Sequence, residues 1–395
     1  MITSRLFTAP RRVVFGLILA GSLFLAACGG VAGDSWAGVA RDPNGQAVYV
    51  AYNQRVMALD PSSGAIRWEY KYNDAKFFAV PAIDNGSLYI GDYNGRLHSI
   101  NLADGSRNWV YEPDTDNLIG PLSLTASDRV ISGVAFNDDK VFFGLGSRNV
   151  VAVSRATAEA AWTFKTGHGV WATPLYVHAL EGDSASRDTL YAVSLDHYLY
   201  AIDPDTGDQL WKMNLGGAAP GNMVYDEQLN RIYIGTFASE LLAIDLDQRA
   251  IVDRYETEGW LWGSPALEVQ EDGSEILYFG DLTGYLYAVE VGQDGFRQRW
   301  KMKVAQDAIR ATPLVTNGLV IVGSKDKTVY AVSKDDGASV WNSKVRGEAL
   351  TELVLLPGSD GEGDGNIVVL GTSDNDELIL AYNVETGEVD WRYAG

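Results

Sequence analysis

Eight times along this 395-residue chain a short apolar run ends in a small turn and is followed by tryptophan or a substitute for it. The plainest copy is Leu199-Tyr-Ala-Ile-Asp-Pro-Asp-Thr-Gly-Asp-Gln-Leu-Trp211. The copies end at Trp68, Trp109, Trp162, Trp211, Asp253, Trp300, Trp341 and Trp391, spaced 41 to 53 residues apart. A period of that size, built from strands and turns alone, predicts a β-propeller. Each copy carries four strand signals. In the fourth they fall in 170–177, 189–194, 198–203 and 209–213, with period-two alternation and an excess of β-branched and aromatic residues. The expected fold is therefore all-β: an eight-bladed β-propeller of four-stranded antiparallel blades over residues 35–395.

The turn before each Trp explains the repeat locally. Asp60-Pro-Ser-Ser-Gly64 and Asn383-Val-Glu-Thr-Gly387 place a side-chain acceptor first and a glycine last. Glycine there permits the positive φ that a tight hairpin needs. The seven repeat tryptophans (Trp68, Trp109, Trp162, Trp211, Trp300, Trp341 and Trp391) have the area to cover a seam between blades and read as structural. Two copies depart. The third has Ala158 in place of the glycine, which predicts a differently built turn. The fifth loses both Gly and Trp, which predicts the least regular blade, with an edge open to contacts.

The first 27 residues read as an export signal. Arg5, Arg11 and Arg12 precede an apolar stretch from Val13 to Phe24, too short to span a bilayer, and then Leu25-Ala26-Ala27-Cys28. That box resembles the bacterial lipoprotein signal, which implies cleavage before Cys28 and acylation of it. Residues 28–34 would then be the lipidated Cys and a short tether. Cys28 is the only cysteine, so disulfides, cysteine-ligated metals and cysteine nucleophiles are excluded from the rest of the chain. The net charge of −21 repels nucleic acid, and no nucleic-acid partner is expected.

The motif Tyr-x-Ala-φ-Asp-x-x-Thr-Gly-x-x-x-Trp, with φ apolar, resembles the repeat of the PQQ-like (quinoprotein-type) propellers. Together with the lipoprotein box and eight copies, it is similar above all to the BamB lipoproteins of that family. The resemblance implies a non-enzymatic scaffold held on a membrane through Cys28, binding envelope proteins. The implied partner is the outer-membrane β-barrel assembly machinery. The place implied is the periplasmic face of an outer membrane, with which Gly29 after the Cys is compatible. In a cell with one membrane it would be the outer face of that membrane.

The family also contains quinone-dependent dehydrogenases, which hold their cofactor beneath a pair of adjacent cysteines and beside a metal ion. This chain has no such cysteines and no match to those metal-ligand motifs, so no pyrroloquinoline quinone and no catalytic residues are expected. The four histidines, His98, His168, His178 and His197, show no paired metal-ligand spacing, and no Gly-x-Ser-x-Gly elbow or Walker loop occurs. Asp360, Glu362 and Asp364 alternate as at the front of a calcium loop, but the twelfth position is Gly371, so the closing acid is missing. That segment reads as a solvated loop, with a calcium site as the alternative.

Tryptophans outside the repeat position point to function: Trp36, Trp171, Trp260 and Trp262. Trp171 and Trp262 each stand three residues before a proline, as do Phe78 and Arg310. These positions precede the innermost strands, so Phe78, Trp171, Trp262 and Arg310 should ring one mouth of the central channel. Aromatic and arginine side chains dominate binding hot spots. They would either bind a partner there or plug the channel. A small-molecule or glycan-binding propeller using this mouth is the alternative to the scaffold.

Overall fold

The computed structural model describes residues 37–113, 129–179, 187–316, 318–356 and 367–395. Cys28, Trp36 and the Asp360, Glu362 and Asp364 loop lie outside them. Within the described residues, 32 strands form eight four-stranded antiparallel sheets, each made of consecutive strands. The blades span residues 38–71, 82–111, 135–165, 175–214, 224–256, 266–303, 314–344 and 354–393. At four of the eight seams the first strands of neighbouring blades touch one another, which places first strands innermost. The fourth strands, such as Ala160–Lys165, face outward with exposed and half-buried residues in alternation. No helix among the described residues is long and apolar enough to cross a membrane.

The second and third strands are covered on both faces, as in Val48–Tyr52 and Arg231–Thr236. That explains their unbroken apolar runs, since a blade buries one face against each neighbour. The core is accordingly divided among the seams. Eight clusters of buried residues each straddle two adjacent blades, one for every seam of the ring.

At five of the eight seams the repeat Trp is bonded to the next blade. On its own sheet it lies opposite a small residue of the third strand (Ala58 for Trp68, Ser99 for Trp109, Ala201 for Trp211), and a β-bulge follows at once. Its indole then reaches the turn of the next blade. Trp68 Nε1 donates to Leu102 O at 3.0 Å, Trp162 to Pro204 O at 3.0 Å, Trp300 to Lys334 O at 2.8 Å and Trp341 to Val384 O at 2.8 Å. Trp391 donates to Pro61 O at 2.8 Å and closes the ring from blade eight onto blade one. Closure among the described residues uses this packing and no exchanged strand.

The turn glycine makes the fit possible. A Cβ on Gly64, at φ +69°, would stand 2.7 Å from the Trp391 ring, and one on Gly207 2.7 Å from Trp162. Where the residue is not glycine, the bond is lost. Ala158 and Arg249 occupy the turns facing Trp109 and Trp211, and neither indole donates to a described residue there. The third turn is nevertheless built like the others, contrary to the expectation from its sequence. Ala158 takes φ +58° and its N–H still bonds Ser154 O at 2.9 Å, because the cost of a left-handed alanine is small beside that of remaking the hairpin.

The fifth blade also corrects the reading of its sequence. Its second, third and fourth strands, Arg231–Thr236, Glu240–Asp245 and Ala250–Glu256, pair in full. Asp253 takes the Trp position, opposite Ala243, and the polarity of the seam is reversed. Its carboxylate accepts the Phe296 N–H of the next turn at 2.6 Å, and the buried Arg231 guanidinium donates to Gly292 O at 2.7 Å. Phe296 fills the remaining space against Tyr233 and Tyr255. A carboxylate, a guanidinium and a phenylalanine thus replace one indole.

Candidate functional site

The residues entering the first strands set the channel mouth. The register of first and second strands aligns Phe78, Trp171, Trp262 and Arg310 at one repeat position, four residues before the first described strand pair. Proline three residues on keeps each approach extended. All four side chains are half-buried.

Three of them converge. The Trp171 and Trp262 rings meet at 5.9 Å, and the Arg310 guanidinium lies over Trp262, 4.8 Å from its centre. These come from blades four, six and seven. Phe237, in the turn between the second and third strands of blade five, packs on Trp262 at 5.5 Å and stacks on Trp260 at 5.2 Å. Trp260 is 54 % exposed, the most exposed large apolar residue beside the mouth. The result is a continuous aromatic strip, Trp171–Trp262–Phe237–Trp260, running from the mouth to open surface. Phe78 stands apart, packed against Tyr52 and Tyr93 at 6.1 and 4.8 Å. Sequence reasoning missed Phe237, because it sits on a turn that the proline spacing does not mark.

A polar belt lies two residues deeper. Thr173 N donates to Asn222 Oδ1 at 2.7 Å, and Asn222 N to Ser264 Oγ at 2.9 Å. Farther round, Thr312 Oγ1 donates to Glu352 at 3.4 Å. Glu352 is half-buried, and desolvation raises its pKa, partly opposed by the Thr312 hydroxyl. Arg310 Nε is buried and has no hydrogen-bond partner. The cluster thus combines partly exposed aromatic faces with a buried, unpartnered Arg310 Nε beside a hydrogen-bonded belt.

Elsewhere the chain shows chemistry that is spent on packing. Tyr70 Oη and His98 Nδ1 are 3.0 Å apart, His98 Nε2 and Asp92 Oδ2 3.2 Å, and Arg96 Nε donates to Asp92 at 2.6 Å. The order is that of a proton relay, but His98 is fully buried among Tyr70, Tyr72 and Phe77. Burial lowers its pKa against the opposing pull of Asp92, so the ring is a neutral hydrogen-bonding spacer. Among the described residues no three His, Cys, Asp or Glu side chains are grouped to hold a metal ion.

A family model described as outer membrane protein assembly factor BamB matches residues 31–165, 125–259 and 196–394. Outer membrane protein assembly factor BamB of Yersinia pestis is 23% identical over 299 residues, covering 74% of this chain and 70% of that protein. Quinohemoprotein alcohol dehydrogenase ADH IIB of Pseudomonas putida is 26% identical over 280 residues, covering 60% of this chain. The match spans only 37% of that enzyme's length. Among solved structures, BamB from Moraxella catarrhalis superposes with a TM-score of 0.63 at 17% identity, covering 87% of this chain and 92% of the other. At that identity the likeness concerns the fold alone.

Proposed function

This chain belongs to the family of the outer membrane protein assembly factor BamB, and on that premise we propose that it is a non-enzymatic, lipid-anchored scaffold of the cell envelope. The propeller holds partner proteins at the channel mouth, and the anchor is Cys28. By kinship with BamB, the partners are components of the outer-membrane β-barrel assembly machinery and the location is the periplasmic face of the outer membrane. The observation that carries the reading is the aromatic strip Trp171–Trp262–Phe237–Trp260, capped by Arg310. Tryptophan and arginine held half-exposed in one contiguous patch are the side chains that contribute most to protein contacts.

The dehydrogenase relatives supply a second reading, and the residues present do not fit it. A quinone held beneath adjacent cysteines cannot form where Cys28 is the only cysteine. The described residues likewise offer no grouped set of metal ligands. We therefore assign no quinone to the chain and no metal to its described residues.

The test is crosslinking of the tagged, lipidated protein in its native envelope, followed by mass spectrometry. Recovery of an outer-membrane assembly barrel is expected. The Trp171→Ala/Trp262→Ala double variant should keep its β-sheet circular dichroism and thermal transition yet lose most of the crosslinked partner. Recovery of wall enzymes or transporters in place of the barrel overturns the assembly role. Unfolding of the double variant shows instead that the two indoles plug the channel.

A further inference from the structure

At several seams the end of the first strand meets the turn before the fourth strand of the following blade. Strand register makes Asp42, Asp84 and Glu268 equivalent, each two residues past the partner of a tyrosine: Tyr49, Tyr89 and Tyr278. The following blade presents Leu102, Arg155 and Lys334 at those three seams. Between blades two and three the Arg155 guanidinium pairs with Asp84, lies over the Tyr89 ring at 5.5 Å and donates to Asn137 O at 2.8 Å. Between blades six and seven Lys334 Nζ pairs with Glu268 at 2.7 Å, and Tyr278 Oη also donates to Glu268. At the other seams the position varies: Asn137, Val177, Thr316 and Leu356 are uncharged, and Asp226 is a further acid, whose carboxylate accepts the Tyr233 hydroxyl and the Leu229 N–H, each at 2.9 Å. Val177 faces Leu246 between blades four and five, with both in one buried cluster.

The seam between blades one and two breaks this pairing. The acid, Asp42, is present and only 9% exposed, but the opposing residue is Leu102, which brings no charge. One Asp42 oxygen accepts the N–H groups of Asn44 and Gln46, and no cation among the described residues pairs with the carboxylate. Arg67, the nearest arginine lining the gap, is engaged with Asp60 at 2.7 Å. Where Arg155 would lie there is an open groove of about 730 Å³, walled by Asp42, Tyr49, Trp68, Leu102 and Asp104. The Tyr49 ring packs at 5.7 Å on Trp68. Burial, then the Asp42 carboxylate, push its phenol up to about 12, so the ring is neutral at physiological pH.

We propose that this groove is a receptor for a guanidinium side chain, an arginine presented by a partner polypeptide, which completes from outside the latch that Arg155 completes within the chain. The carboxylate supplies the charge-assisted bond, for which a planar guanidinium is the best-matched cation. Nothing in this depends on the channel mouth or on a role in outer-membrane assembly, so the two readings fail separately.

The experiment is a titration of the ¹⁵N-labelled propeller with N-acetyl-arginine amide, followed at the Trp68 indole N–H. That group donates to Leu102 O at the groove wall and so reports occupancy. A saturable shift of this resonance is expected, with N-acetyl-lysine amide clearly weaker. Asp42→Asn should weaken binding by about tenfold or more, as loss of a hydrogen bond to a charged group does. Leu102→Arg should fill the groove from the next blade, abolish the shift and raise the melting temperature. The proposal is overturned if the Trp68 signal does not saturate, or if Asp42→Asn binds as the parent does. Equal response to the lysine probe overturns it too, since attraction to an acidic protein would then explain the effect. If Leu102→Arg does not fold, Asp42→Asn decides the matter alone.

Discussion

Gly64→Ala tests the seam lock directly. The residue adopts φ +69°, and its added methyl would stand 2.7 Å from the Trp391 ring, closer than real contacts allow. The left-handed conformation alone costs an alanine about 1–2 kcal/mol. To make room the indole must retreat from Pro61 O, now at 2.8 Å, which removes a hydrogen bond worth about 1 kcal/mol net. Displacing a ring that is 8% exposed adds about 1–2 kcal/mol of packing strain. The sum is about 3–5 kcal/mol. Gly273→Ala provides the control, because Gly273 has φ +81° but nothing within 4 Å of the added methyl. It should cost only the conformational part, about 1–2 kcal/mol. Urea unfolding followed by far-UV circular dichroism reads both. If the two variants lose the same stability within about 0.5 kcal/mol, the indole is not seated as described and the lock has no energetic role.

Two further outcomes follow from the fifth seam. Glu275 is buried, and desolvation followed by the adjacent Asp226 carboxylate pushes its pKa up to about 7. The folded state therefore holds more protons than the unfolded chain between the ordinary carboxylate range and pH 7. Stability should fall as pH rises through that window and level off above it, by up to about 3 kcal/mol. Glu275→Gln, which keeps a donor toward Asp226, should match the parent near pH 5 and exceed it near pH 8; parallel melting curves across pH would refute the assignment. Asp253→Ala should cost about 1–3 kcal/mol by stranding the Phe296 N–H. An unchanged urea midpoint would show that Arg231 alone holds that seam.

What could be read from sequence was whatever lies within one repeat. The turn of Asp203 to Gly207 and the Trp211 that follows are set by residues a few places apart, and the structure has them as expected. The proline spacing likewise put Trp171, Trp262 and Arg310 at one repeat position, and the three side chains meet. It did not foretell that Phe78 packs between Tyr93 of its own blade and Tyr52 of the preceding one, because the side-chain direction depends on contacts that the spacing does not encode. Nor could Asp253 be recognised as a seam residue, since its role needs Arg231 and a turn more than 40 residues on. The acid-and-cation latch was hidden for the same reason. Arg155 lies 71 residues from Asp84, and only register makes them partners.

The indole bonds also order events as the chain is made. Four of them reach forward by 34 to 43 residues, so each tryptophan finds its acceptor as soon as the next blade's hairpin is synthesised. A nascent chain can then set down its blades in sequence, with only the newest edge left unsealed. The bond from Trp391 reaches back across 330 residues. That last bond joins the final hairpin to a first blade already in place, and so closes the ring. The surface joining blades four, six and seven comes into being late in this order. The strip of indoles is complete only once the chain has reached Trp262 at the entry to the sixth blade, and Arg310 caps it with the seventh.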